Sequence, residues 1–180
     1  MPLRPAVFLD RDGVLNSAII REGKPYPPAT VEEFALLPGV REGCKSLKAA
    51  GFLLVVATNQ PDVGRGHTSQ SLVEAMHTQL QALLPELDAI YVCYDSGDQP
   101  SSRRKPEPGM LIEAAGELTI ELKKSWMIGD RWRDVDCGAA AGCRTILIDY
   151  GYAEQLRAKP DFVTDTFQRA AAYILTSNSA

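Results

Sequence analysis

The chain has 180 residues, of which 45% are hydrophobic, and its formal charge at neutral pH is -4. This length and composition indicate one globular domain with a full hydrophobic core and exclude a disordered chain. The acidic balance argues against a general nucleic-acid binder, because such proteins neutralise phosphates with a basic stripe. We therefore expect a single domain over residues 1–180 and no nucleic-acid partner.

Cysteine spacing and the apolar runs bear on the compartment. The four cysteines, Cys44, Cys93, Cys137 and Cys143, form no C-x-x-C pair, which favours a reducing environment. The first ten residues are too poor in apolar side chains for a signal peptide, and no apolar run approaches the roughly 18 residues of a membrane span. These observations predict a cytoplasmic protein with no membrane partner.

Short apolar runs alternate with helical patterns along the chain. The first half is predicted to hold the strand "AVFLD", a turn-rich stretch, the helix "VREGCKSLKAAG", the strand "FLLVVATN" and the helix "SQSLVEAMHTQLQALL". The second half follows with "AIYVC", "MLIEAAGEL", "SWMIGD", "VDCGAAAG" and "TILID", then a short strand near Phe162 and a helix from Phe167 to Leu175. This alternation predicts an α/β fold with a Rossmann-like, doubly wound parallel sheet in three layers.

Polar side chains follow three of the predicted strands at their carboxyl ends, and an ammonium lies in a loop between strands. In chain order they are Asp10, Asp12, Thr58, Asn59, Lys105, Asp130 and Asp134. Each alone is more often a turn, cap or loop residue. Ligands of doubly wound sheets bind at this edge, however, and carboxylates, a hydroxyl and an ammonium together are the groups that phosphoryl transfer needs.

These residue types predict a division of roles in hydrolysis of a phosphate ester. Asp10 can attack phosphorus and form an aspartyl-phosphate, and Asp12 can act as general acid and then as general base. Asp130 would complete an oxygen-rich Mg²⁺ site with Asp10 and the backbone carbonyl of Asp12. Thr58 and Lys105 would hold phosphoryl oxygens. Because carboxylates packed without a cation raise one another's pKa, the metal is part of the hypothesis.

Four motifs, in order, resemble those of the haloacid dehalogenase-like phosphatases: "FLDRDGVLN", "VVATNQ", "RKPEPGM" and "MIGDRWRDV". Within that superfamily the chain resembles the histidinol-phosphatase-related branch, and in it the D-glycero-D-manno-heptose 1,7-bisphosphate phosphatases. The resemblance implies a capless enzyme with a short flap and a small phosphorylated sugar as substrate. It places substrate contacts at Asn16, Asn59, Gln60, Arg104 and Arg131. Arg65 is a further candidate, with a solvated loop arginine as the alternative.

One departure from that family concerns zinc. Heptose bisphosphate phosphatases commonly hold a structural zinc through a Cys-x-His pair and a Cys-x-Cys pair. Here Cys93 is retained, Asp95 stands two positions on, and residues 101–103 before Arg104 are two serines and an arginine. Four zinc ligands cannot be assembled from these residues. We therefore expect magnesium as cofactor and no structural zinc.

Other interpretations remain open at this point. A receiver-type signalling domain shares the α/β sheet, an acceptor aspartate and Mg²⁺, but it carries its phospho-acceptor after the third strand. A degenerate phosphate-binding protein would keep the fold without turnover. Among phosphatases, histidinol phosphate and a nucleic-acid 3′ phosphate are rival substrates. We expect a monomer, and His67 and His77 are given no role.

Overall fold

Six parallel strands form the central sheet in the computed structural model, which describes residues 2–22 and 24–177. They are β1 (Ala6–Leu9), β4 (Leu53–Asn59), β5 (Ala89–Cys93), β6 (Trp126–Gly129), β7 (Arg144–Ile148) and β8 (Phe162–Thr164). Two short strands, β2 (Ile19–Arg21) and β3 (Lys24–Tyr26), pair as an antiparallel hairpin. The sheet confirms the predicted doubly wound α/β class, and the hairpin is the predicted short flap.

Helices connect the strands at the places where the sequence predicts them. They are α1 (Val40–Ala49), α2 (Pro61–Gly64), α3 (Gln70–Leu83), α4 (Gly109–Leu118), α5 (Trp132–Ala141) and α6 (Phe167–Ser177), with a 3-10 turn at Leu122–Lys124. The short α2 and the 3-10 turn were not predicted. Ser69 begins α3 by accepting a hydrogen bond from the backbone of Leu72 at 3.2 Å. Over the described residues, no helix has both the length and the apolar character needed to cross a bilayer.

The hydrophobic core lies on both faces of the sheet. In β1, Val7 and Leu9 pack on the face covered by α1, α3 and α6, whereas Ala6 and Phe8 pack on the face covered by α4 and α5. Strands that are buried on both faces are apolar at nearly every position. This burial explains why the strands appear in the sequence as continuous apolar runs.

The strand order, β5-β4-β1-β6-β7-β8, changes direction beside β1. From β1 the chain moves outward to β4 and β5, and it then returns to β6 on the other side before moving to β7 and β8. Ligands of such sheets bind beyond the carboxyl ends of the strands at this switch point. Asp10 directly follows β1 and Asp130 directly follows β6, so the topology brings their side chains to one place.

Candidate active site

Three carboxylates meet at the carboxyl ends of β1 and β6. One oxygen from each of Asp10, Asp130 and Asp134 lies within 4.8 Å of the other two. Both carboxylate oxygens of Asp130 are buried without a hydrogen-bond partner among the described residues. Burial, reinforced by the neighbouring carboxylates, raises the pKa of Asp10 to about 6 and raises the pKa of Asp130 well above its ordinary value. Ionisation of all three carboxylates is therefore unfavourable unless a further positive charge is present.

This cluster fits a divalent cation. Mg²⁺ prefers carboxylate oxygens, and a positive charge would stabilise carboxylates whose charged forms burial disfavours. Gly13 keeps the space beside Asp130 open, because an ideal Cβ at position 13 would lie 2.2 Å from Oδ2 of Asp130. Asp10 and Asp130 are the ligands that the sequence predicts, and Asp134 is a third carboxylate beside them. A contact through the backbone carbonyl of Asp12 stays a prediction.

The Lys105 ammonium bridges two of these carboxylates. Its Nζ atom lies 2.8 Å from Oδ1 of Asp10 and 2.6 Å from Oδ1 of Asp134. Although burial disfavours the cation, the two carboxylates raise the pKa of Lys105 above its ordinary value. Asn59 fixes the loop, since its side-chain amide donates to the Lys105 carbonyl at 3.0 Å and accepts from the Lys105 amide at 3.1 Å. A charged, immobilised ammonium thus stands beside Asp10.

The carboxylate of Asp12 is held by a separate set of donors. Asn16 donates to Oδ1 at 2.9 Å, Gln60 donates to Oδ2 at 2.8 Å, and Arg11 Nη2 lies about 3 Å from both oxygens. The Gln60 amide also donates to the Thr58 hydroxyl at 3.0 Å. Asn16 is fully buried, and its amide supports Asp12; the substrate contact implied by the resemblance stays a prediction.

An open cleft of about 270 Å³ adjoins these groups. Arg65, Arg104, Arg131 and Arg133 line it. Burial, and then the charges of Arg133 and Arg65, lower the pKa of Arg104. A group of cations that repel one another favours an anionic ligand. Part of the hydrogen-bonding capacity of Arg131 is already used, because its Nε atom donates to the Glu154 carboxylate at 2.8 Å.

Three site residues were not singled out from the sequence. Arg133 lies in the motif "MIGDRWRDV" but received no role. Arg11 is fully buried, and its Nη1 atom lies 3.2 Å from Nε2 of His77. A signal for His77 was present, since it lies on the same helical stripe as the buried residues Val73, Met76 and Leu80 of α3. A polar residue on an apolar helix face indicates a buried partner.

Comparisons with known proteins agree with this geometry. The HAD-hydrolase-like family model matches residues 102–170. D-glycero-D-manno-heptose-1,7-bisphosphate 7-phosphatase of Thermosynechococcus vestitus is 33% identical over 96% of this chain and 96% of its own length. D-glycero-beta-D-manno-heptose-1,7-bisphosphate 7-phosphatase of Pasteurella multocida is 36% identical over 97% and 93%. The chain belongs to the heptose bisphosphate phosphatase family of haloacid dehalogenase-like phosphatases.

Solved structures agree with the membership of this family. The D,D-heptose 1,7-bisphosphate phosphatase from B. bronchiseptica, complexed with magnesium and phosphate, has a TM-score of 0.78 and 28% identity, covering 96% of this chain and 99% of that one. The enzyme of that name from Burkholderia thailandensis has a TM-score of 0.68 and 25% identity, with coverages of 96% and 99%. The chain is therefore assigned to the phosphatases and not to the receiver-type signalling domains.

Proposed function

We propose that the chain is a Mg²⁺-dependent phosphatase that removes the 7-phosphate of D-glycero-D-manno-heptose 1,7-bisphosphate. The observation that carries the proposal is a group of three cations, separate from Lys105, in the cleft beside the carboxylates. They are Arg65, Arg104 and Arg133. A bisphosphate needs two anion sites. Lys105 and the metal would serve the reacting phosphate, and the guanidinium groups suit the other phosphate through charge-assisted hydrogen bonds. The relatives are named for this substrate.

In the first step Asp10 acts as the nucleophile. An oxygen of Asp10 attacks phosphorus while the bond between phosphorus and the sugar oxygen breaks, which leaves an aspartyl-phosphate. Asp12 donates a proton to the departing sugar oxygen, so that an alcohol leaves instead of an alkoxide. Lys105, already in contact with Asp10, and the Thr58 hydroxyl hold oxygens of the transferred group.

In the second step water releases the phosphate. Asp12, now a carboxylate, takes a proton from a water molecule whose oxygen attacks phosphorus, and the bond from phosphorus to Asp10 breaks. Both aspartates return to their starting forms. Asp10, Asp130 and Asp134 would hold the Mg²⁺ ion, which when bound neutralises phosphoryl charge and acts as a Lewis acid.

We also propose that the enzyme works without a structural zinc. Cys93 Sγ donates to Oδ2 of Asp95 at 3.3 Å, and the Ser101 hydroxyl donates to the same oxygen. The Ser101 hydroxyl in turn accepts from the backbone amide of Arg104 at 3.2 Å. These hydrogen bonds order the loop that carries Arg104, a task that the resemblance gives to zinc in related enzymes.

Composition and cysteine chemistry bear on the partners and the compartment. We propose a monomeric, cytoplasmic enzyme that forms one hydrolase domain over residues 1–180 and takes no nucleic-acid or membrane partner. All four cysteines are free thiols, which is the usual state in a reducing compartment. The net charge of -4 disfavours polynucleotide phosphates as ligands.

Phosphate release with Mg²⁺ tests the substrate. The panel holds heptose 1,7-bisphosphate, heptose 7-phosphate, histidinol phosphate and a 3′-phosphorylated oligonucleotide. We expect the highest kcat/KM for the bisphosphate and no turnover by Asp10→Asn. Preference for histidinol phosphate would contradict the proposed substrate, and an active Asp10→Asn protein would contradict the assigned nucleophile.

An arginine substitution tests the second anion site. Arg104→Gln is expected to lower kcat/KM for the 1,7-bisphosphate about tenfold or more, because it removes charge-assisted hydrogen bonds. The same variant is expected to change kcat/KM for the 7-phosphate far less. Arg169→Gln is the matched control, since Arg169 is exposed on α6 and pairs with Asp165. Equal losses on both heptose phosphates would contradict the second anion site.

A further inference from the structure

Arg11, which stands between the two catalytic aspartates in the chain, is fully buried beneath the site. Its Nη2 atom lies 3.1 Å from Oδ1 and 3.0 Å from Oδ2 of Asp12. Its Nη1 atom lies 3.2 Å from Nε2 of His77 on α3, and its guanidinium lies 5.8 Å from the centre of the Phe34 ring. The guanidinium is therefore anchored at both of its amino groups.

His77 supplies one of these anchors through a lone pair. A guanidinium has N–H donors and no acceptor, so Nε2 of His77 accepts the hydrogen bond from Arg11 and the imidazole is neutral. Burial and the charge of Arg11 lower the pKa of His77 to about 4, which keeps this neutral form near neutral pH. The imidazole thus holds Arg11 without placing a second cation beside it.

The orientation of the Asp12 carboxylate depends on this contact. Asn16 and Gln60 each donate to one oxygen of Asp12, whereas Arg11 contacts both oxygens. Hydrogen bonds with a charged donor and acceptor are roughly twice as strong as those between neutral groups. A catalytic group that is displaced by about 1 Å can lose two orders of magnitude in rate. Whatever fixes the guanidinium therefore also fixes the general acid.

We propose that His77 and Arg11 are positioning residues for Asp12. In this proposal, which rests on the proposed function, His77 fixes Arg11, and Arg11 holds the Asp12 carboxylate towards the oxygen of the leaving group. Both residues act through Asp12 and not on the substrate. Loss of the His77 acceptor would free one end of the guanidinium, and the carboxylate would then sample orientations that cannot deliver the proton.

The test compares two phosphate esters that differ in their need for that proton. The first ester is the alkyl phosphate that the parent protein hydrolyses with the highest kcat/KM, and its leaving alkoxide needs a proton from a general acid. The second is 2,4-dinitrophenyl phosphate, which releases a stable phenolate without that proton. kcat/KM reports the first phosphoryl transfer for both. His77→Leu is expected to lower kcat/KM for the alkyl phosphate about tenfold or more, and that for the dinitrophenyl ester less than about threefold. His77→Gln, whose amide oxygen can accept from Arg11, is expected to restore most of the loss.

Control variants separate positioning from folding. A folding defect would lower kcat/KM for both esters by the same factor. Thermal unfolding of each variant measures such a defect directly. His67→Leu makes the same change at an exposed histidine and is expected to leave both esters unaffected. If His77→Leu does not fold, Arg11→Lys takes its place, since one ammonium cannot replace both anchored amino groups.

Coupling to Asp12 completes the test. In an Asp12→Ala background, His77→Leu is expected to cause no further loss on the dinitrophenyl ester. Equal losses on both esters, no loss in His77→Leu, or an added loss in the Asp12→Ala background would overturn the proposal. A parent protein that cleaves neither ester would instead contradict the proposed function, so the two failures are distinguishable.

Discussion

Substitution of Gly13 by alanine tests whether the turn after β1 makes room for Asp130, the proposed metal ligand. Gly13 has a φ of +83°, in the left-handed region that favours glycine. An ideal Cβ there would lie 2.2 Å from Oδ2 and 2.6 Å from Cγ of Asp130. Ordinary contact begins at 3.4 Å, so the oxygen must retreat by about 1.2 Å. Metal–ligand distances tolerate about 0.2 Å.

Gly142→Ala is the matched control for this substitution. Gly142 also has a φ of +83°, but no heavy atom of the described residues beyond its chain neighbours lies within 4 Å of its ideal Cβ. Alanine in this backbone conformation costs about 1–2 kcal/mol of stability at either position. The difference between the two variants therefore isolates the contact with Asp130.

Calorimetric titration with Mg²⁺ and thermal unfolding in chelator are the assays. We expect both variants to lose a similar free energy of unfolding to backbone strain. Gly13→Ala alone is expected to bind Mg²⁺ about tenfold or more weakly, which is the order of loss seen when metal-site geometry is disturbed. Its rate of phosphate release at limiting Mg²⁺ is expected to fall as well. Equal Mg²⁺ affinities in the two variants would refute the reasoning, because Asp130 would then not be a ligand confined by Gly13.

Three further predictions concern protons and anions. His77 has a pKa of about 4 in the folded protein against an ordinary 6.5, so the unfolded chain takes up the proton first as pH falls. His77 should therefore contribute a loss of up to about 3 kcal/mol of stability between pH 6.5 and 4, opposite in sign to the contribution of Asp10, whose raised pKa favours proton uptake by the folded state. Denaturant unfolding should show that the change in stability over this range differs between the parent and His77→Gln by this amount. Glu154→Gln should lower KM up to about fivefold at similar kcat, because it frees Arg131 from an ion pair; a raised KM in steady-state kinetics would show that Glu154 helps to bind substrate. Mg²⁺ affinity should fall as pH drops below about 6, since protons compete for Asp10, and calorimetry at two pH values checks it.

The fold was predictable because the inner strands β1, β4, β6 and β7 are buried on both faces along most of their length. Each strand of the sheet from β1 to β7 appears as a short apolar run, and the polar residue that follows it marks the carboxyl edge. The order of motifs along the chain then placed Asp10 and Asp130 together. The short helix α2 escaped prediction because four residues are too few to show a helical period.

The contacts around Asp12 and Arg131 were not predictable in the same way. His77 is 66 positions from Arg11 along the chain, and the two meet because α3 covers the same face of the sheet. Glu154 reaches Arg131 from a segment without helix or strand, so no periodicity predicts its direction. Single positions within motifs indicate which atoms react, but only the packing of distant segments decides which neighbours hold those atoms.

The charges of the site fit the different roles proposed for Asp10 and Asp12. Asp10, Asp130 and Asp134 with the Lys105 cation leave a balance of two negative charges when all are ionised, which one divalent cation neutralises. Asp12 is paired with Arg11, so this pair leaves the balance of charge at two. In the proposed mechanism, the alternation in "DRD" therefore separates the nucleophile, which needs a cation, from the acid and base, which is held by Arg11.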